Sequence, residues 1–130
     1  MKKTGASLRK NDRLCGVRAV SELFARGKTM VIPPLKVIFL LMPEDDLISP
    51  ARVLVSVPGK QFRKAVDRNL IRRRIKESWR LNMLPLKEKM TASGRRIDLA
   101  IIWIDPEIGS YETTEKCVRR IIERLTHLKY

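Results

Sequence analysis

Residues 64–82 read KAVDRNLIRRRIKESWRLN, and the spacing of their apolar positions sets the architecture around them. Stepped at about 100° per residue, Ile71, Ile75, Ser78 and Trp79 fall within about 100° of arc, which predicts a helix of about five turns with one side packed on a sheet. The same stretch carries seven cations (Lys64, Arg68, Arg72, Arg73, Arg74, Lys76 and Arg80) against two carboxylates, Asp67 and Glu77. Arg72, Lys76 and Arg80 recur at i, i+4 and i+8, with Asn69 and Arg73 beside them. Like charges at that spacing destabilise a helix by a few tenths of a kcal/mol per pair. A face that only met water would mix its signs, so the unmixed line predicts a surface that tracks phosphates.

Working outward, Pro58-Gly59 separates this helix from ARVLVSV (51–57), a strand, and PEDDLISP (43–50) is a turn before it. KVIFLLM (36–42), after Pro33 and Pro34, is an earlier strand, and GVRAVSELFARG (16–27) is a short helix with Val17, Val20 and Phe24 at helical spacing and Gly27 as its stop. Downstream, residues 83–96 contain Pro85, Ser93 and Gly94 and read as a helix end plus loop. IDLAIIWI (97–104) is apolar enough to be a central strand, and Asp105-Pro106 ends it. The last element places Val118, Ile121, Ile122, Leu125 and Leu128 on one face of an amphipathic helix. Residues 1–12 read as a basic, flexible arm and 13–130 as a single domain. The order α-β-β-α-β-α predicts an α/β sandwich, with helices packed on a small mixed sheet.

The totals bound the partner. In 130 residues, 28 Lys and Arg stand against 14 Asp and Glu, a net charge of +14. Between Lys60 and Arg80 nine cations face two carboxylates, so about half the net charge sits in a sixth of the chain. Such a concentration attracts a polyanion. The longest apolar runs, VIFLLM (37–42) and LAIIWI (99–104), are six residues each, far short of the roughly 20 a membrane helix needs. The start has the charges of a signal peptide without its apolar stretch. Cys15 and Cys117 stand alone, outside any metal-ligand spacing, as expected of a reducing cytosol. The expected location is therefore the cytoplasm, with no membrane partner.

Catalytic constellations are missing from the sequence. The one His, His127, lies in the last turn of a helix, Asp98 and Asp105 lie at opposite ends of one strand, and Glu44, Asp45 and Asp46 share an exposed turn. A metal-dependent nuclease needs such groups to converge. A strand, not a helix, precedes the basic helix, which excludes a helix-turn-helix and favours single-stranded or irregular RNA. On strand 51–57 Val53, Val55 and Val57 share the core face, leaving Arg52, Leu54 and Ser56 on a face beside the basic helix. Phe39 has the chemistry to stack on a base, although strand periodicity alone favours the core for it.

AVDRNLIRRRIKE (65–77), preceded by VSVPGKQFRK (55–64), resembles the signature of the bacterial ribonuclease P protein subunit: Ala-Val-x-Arg-Asn, then alternating basic and apolar positions ending in a basic-Glu pair. RLCGVRAVSELFARG, VIFLL, ARVLVSV, RIDLAIIWI and SYETTEKCVRRIIERL are similar to its other elements in order, over about residues 8–128. The resemblance implies an α/β sandwich of that family, with a rare left-handed βαβ crossover. It implies a protein that binds ribonuclease P RNA in a 1:1 ribonucleoprotein and grips the 5′ leader of precursor tRNA, while the RNA, with bound Mg²⁺, cuts the leader off. By that resemblance Arg68, Asn69, Arg72 and Lys76 contact RNA, and Lys60, Lys64, Arg73 and Arg80 extend the same basic surface. Phe24 and Phe39 match aromatics of the leader cleft, joined there by Arg52 and Ser56. Leu70 replaces a basic residue common in the family, and Val20 replaces an aromatic. A basic ribosomal or ribosome-assembly protein has the same composition, and only the motif separates the two readings.

Overall fold

The structure, a computed structural model, describes residues 12–60 and 62–128. Its elements are α1 (Val17–Arg26), β1 (Lys28–Ile32), β2 (Leu35–Pro43), β3 (Ala51–Ser56), α2 (Ala65–Asn82), α3 (Leu84–Ala92), β4 (Arg95–Trp103) and α4 (Tyr111–Thr126). The strands form one four-stranded mixed sheet in the order β1-β2-β4-β3. β1 with β2 and β2 with β4 run antiparallel, and β3 with β4 runs parallel. The apolar strand 97–104 is central, as expected.

Strand alternation divides the side chains between two faces. Leu35, Val37 and Phe39 of β2, Val53 and Val55 of β3, and Leu99, Ile101 and Trp103 of β4 join the helix side chains Ile71, Ile75, Trp79, Met90, Ile121 and Leu125 in the main core. Ile38 and Ala100 turn the other way and pack with Leu14 and with Leu23 of α1. Helices α2, α3 and α4 therefore cover one face, and α1 covers part of the other. Gly27 permits the α1 contact: a Cβ there would stand 2.5 Å from the Leu23 carbonyl oxygen and 2.7 Å from Ile38 Cγ2.

The expected side of α2 is the buried one, with Ile71, Ile75, Ser78 and Trp79 all inside. Full burial of one Ile contributes about 1.5–3 kcal/mol, while each like-charge pair on the outer side costs a few tenths. Packing therefore dominates, and the helix tolerates its cations. α4 is set by Ser110, whose Oγ accepts from the Thr113 N–H at 3.1 Å as an N-cap.

Two elements differ from the sequence reading. β1 is an additional strand, joined to β2 through Pro33-Pro34, with Ile32 opposite Leu35. It is short, lies at the sheet edge and is mostly exposed, so its side chains carry little period-2 signal. Residues 84–92 form a separate helix rather than a loop, because Pro85 sits in the first turn, where a missing N–H costs nothing. The boundary of the N-terminal arm also moves, since Asp12 is buried within the domain. Residues 1–11 lie outside the described part of the chain.

Candidate RNA-binding interface

The outer side of α2 is indented. Val66, Asn69, Arg72, Arg73 and Lys76 line an open groove of about 560 Å³. The Arg72 Nη1 donates to Asn69 Oδ1 at 2.8 Å, which turns the guanidinium along the helix. Partial burial, with the charges of Arg72 and Arg13, lowers the Lys76 pKa from its ordinary value. Among the described residues neither Arg73 nor Lys76 makes an ion pair. An anion placed here relieves repulsion instead of displacing a partner.

A second groove, of about 300 Å³, lies beside the first and shares Lys76 with it. It is lined by Arg13, Leu14, Cys15, Val53, Leu54, Val55 and Lys76. β3 is an edge strand, and residues just after Asp12 run along its outer edge, with Arg13 bridged to Val53 and the Leu14 N–H donating to the Val53 carbonyl at 2.9 Å. A lining of apolar side chains and two cations suits a single strand of nucleic acid, whose bases need apolar surface and whose phosphates need charge. Arg13, Leu14, Cys15 and Val66 carry no sequence signal of an RNA-binding role. Only a long-range bridge brings Arg13 and Cys15 to β3, and no local periodicity reports it.

The structure brings Asn69, Arg72, Arg73 and Lys76 together and gives several other expected residues different partners. Phe39 is corrected: it lies in the helix-covered core, 6% exposed, because it alternates in phase with Leu35 and Val37. Arg80 makes two hydrogen bonds to the Glu77 carboxylate at 2.7 and 3.2 Å, a pairing that i, i+3 spacing provides. Arg68 donates to the Phe62 carbonyl at 2.7 Å and the Arg63 carbonyl at 3.0 Å, fastening the segment that leads into α2. Arg52 is held by the buried Asp98, with Nε and Nη2 each 2.9 Å from one carboxylate oxygen. That hydrogen bonding raises the Arg52 pKa against the opposing effect of burial. Ser56 and Leu54 alternate in phase with Arg52 on the strand and are half-buried. Phe24 is 49% exposed, and it is set about 100° around α1 from the buried Leu23. Lys60 and Lys64 are exposed just before α2, outside both grooves.

Both cysteines are free, Cys15 exposed and Cys117 buried. Cys117 Sγ donates to the Ile32 carbonyl at 2.9 Å, and burial pushes its thiol pKa up to about 11.

A family model described as Ribonuclease P matches residues 8–126. The chain belongs to the ribonuclease P protein family. Ribonuclease P protein components from two strains of Porphyromonas gingivalis are each 30% identical to it over 118 residues, covering 91% of this chain and 85% of theirs. A solved structure of the Staphylococcus aureus ribonuclease P protein shares the fold at a TM-score of 0.65 and 17% identity, covering 87% of this chain and 94% of that one. A second structure of the S. aureus protein gives a TM-score of 0.66 at 19% identity, over 92% of each chain. In this member of the ribonuclease P protein family, the α2 motif that carries the resemblance also supplies the lining of the first groove.

Proposed function

We propose that this chain is the protein subunit of a ribonuclease P holoenzyme. It binds the catalytic RNA and the 5′ leader of precursor tRNA, and assists the endonucleolytic removal of that leader. The observation that carries this reading is the pair of adjoining grooves that share Lys76. The outer α2 groove has the charge for a folded RNA backbone. The groove along β3, lined by Leu54 and by the cations Arg13 and Lys76, has the mixed chemistry a single-stranded leader needs. Arg52 and Phe39 take no direct part, since one is bound to Asp98 and the other is buried.

Cations repel Mg²⁺ rather than ligate it, so Arg72, Arg73 and Lys76 do not fit a metal site. The ion is assigned to the RNA and the substrate, where it supplies the chemistry of cleavage. This chain's side chains hold and orient RNA. No helix among the described residues is long and apolar enough to cross a membrane, and the cytoplasm, where precursor tRNA is processed in bacteria, is the proposed location.

The test is reconstitution. Purified protein with Mg²⁺ should leave precursor tRNA intact, and protein plus ribonuclease P RNA should cut it once, at the mature 5′ end. Specific cleavage by RNA-free protein contradicts the reading. So does protein that leaves the RNA's own cleavage unchanged, which points to the ribosome-assembly alternative.

A further inference from the structure

One carboxylate anchors the wall of the β3 groove. Asp12 is 2% exposed, and its Oδ1 accepts from Ser49 Oγ at 2.7 Å and lies 2.9 Å from Lys87 Nζ. Ser49 belongs to the segment just before β3 and Lys87 to α3, so three separated parts of the chain meet at one oxygen. Arg13 and Leu14 follow directly, in a parallel bridge to Val53 that includes the Leu14 N–H donating to the Val53 carbonyl. Leu14 is 2% exposed and packs with Leu23, Ile38 and Ala100, so apolar burial holds the segment at Leu14. On the other side of Arg13 the buried, charge-assisted contact of Asp12 holds it, which leaves Arg13 between two anchors.

That wall also stands against repulsion. The charge of Arg13 is among the causes that lower the Lys76 pKa, after burial and Arg72. Holding Arg13 in the same groove as Lys76 works against that repulsion until an anion binds there. Asp12 and Lys87 themselves lie outside the groove lining.

We infer that Asp12 is a positioning residue for leader binding. Through Lys87 and Ser49 it fixes the start of this wall, as Leu14 fixes its middle, and presents Arg13 to a leader phosphate in the groove that Lys76 also lines. This inference rests on the RNA-binding reading given above.

The test uses the full chain with ribonuclease P RNA, comparing wild type, Asp12→Ala, Lys87→Met and the double variant. Each single variant should weaken binding of a leader-bearing precursor by about tenfold and of mature tRNA by less than about twofold. The double variant should be no worse than either single one, because both act through one contact. kcat at saturating substrate should hold. Hydrogen exchange at the Leu14 amide should quicken about tenfold, while amides of α2 and β4 keep their wild-type rates. Single losses that multiply in the double variant overturn the proposal, because Lys87 then contacts RNA independently. Leader affinity that survives a faster Leu14 exchange overturns it too, as does exchange that quickens uniformly, which makes Asp12 a stability residue only. If wild type shows no preference for the precursor, the RNA-binding reading fails, and the proposal with it, before any variant is compared.

Discussion

Changing Arg72, Arg73 and Lys76 together to Gln should reduce affinity for ribonuclease P RNA by roughly 50- to 150-fold near 0.15 M salt. Each cation that neutralises a phosphate releases condensed counterion, so log affinity falls with log salt by about 0.7–0.9 per contact. Three contacts give a slope change of about 2–3 units, and extrapolation from 1 M salt gives the stated loss. Arg80 stays in place because Glu77 already holds it. The helix should survive, since Gln has nearly the same helix propensity and the buried side is untouched. Stability should even rise slightly as the repulsion between Arg72 and Lys76 is relieved. Arg119, Arg120 and Arg124 changed to Gln provide the control, because they are exposed on α4 and remove the same charge elsewhere. Affinity across a salt series, with circular dichroism to confirm folding, decides the matter. Equal slope losses in the two triple variants mean a diffuse positive field and no localised site.

The second large effect is on stability. Asp98→Ala should lower the unfolding free energy by about 3 kcal/mol, measured by urea denaturation. The Asp98 side chain is 3% exposed and that of Arg52 17%, with Arg96 a further 3.4 Å contact on the same carboxylate. Removing the carboxylate leaves two mostly buried guanidinium groups facing each other without a counter-charge. Glu22→Gln, which breaks the exposed Arg26–Glu22 pair on α1, should cost less than about 1 kcal/mol. Similar costs for the two variants would show that the Asp98 cluster is solvated like a surface pair, and would free Arg52 to meet RNA.

The parts of this fold that were legible in the sequence are those written in a local period. The side of α2 that packs and the valine face of β3 follow from spacings of 3.6 and 2 residues, and both are found. Strand periodicity also favoured the core for Phe39. The family resemblance moved it to the cleft, and the structure returns it to the core. β1 was illegible because an exposed edge strand of five residues has no buried face to alternate. Partners of charged groups were the harder loss. Arg52 and Asp98 are 46 residues apart in sequence, and Arg68 is occupied by backbone carbonyls, which no side-chain pattern reveals. On α2, Arg80 pairs with Glu77 and Arg68 with backbone carbonyls, while Asn69, Arg72, Arg73 and Lys76 share the lining of one groove.

The claim that the β3 groove receives the leader is tested most directly from inside the groove. Cys15 is exposed and lines it, while Cys117 is buried with its thiol pKa pushed up to about 11. Thiol reagents from solvent should therefore reach Cys15 and leave Cys117 unlabelled. A photoreactive group on Cys15 in the assembled holoenzyme, irradiated with bound precursor tRNA, should cross-link to leader nucleotides. The same group on α4, in an Arg119→Cys, Cys15→Ser variant, should leave the leader unlinked. Cross-links from Cys15 confined to the tRNA body, or equal leader cross-linking from both positions, would contradict the account.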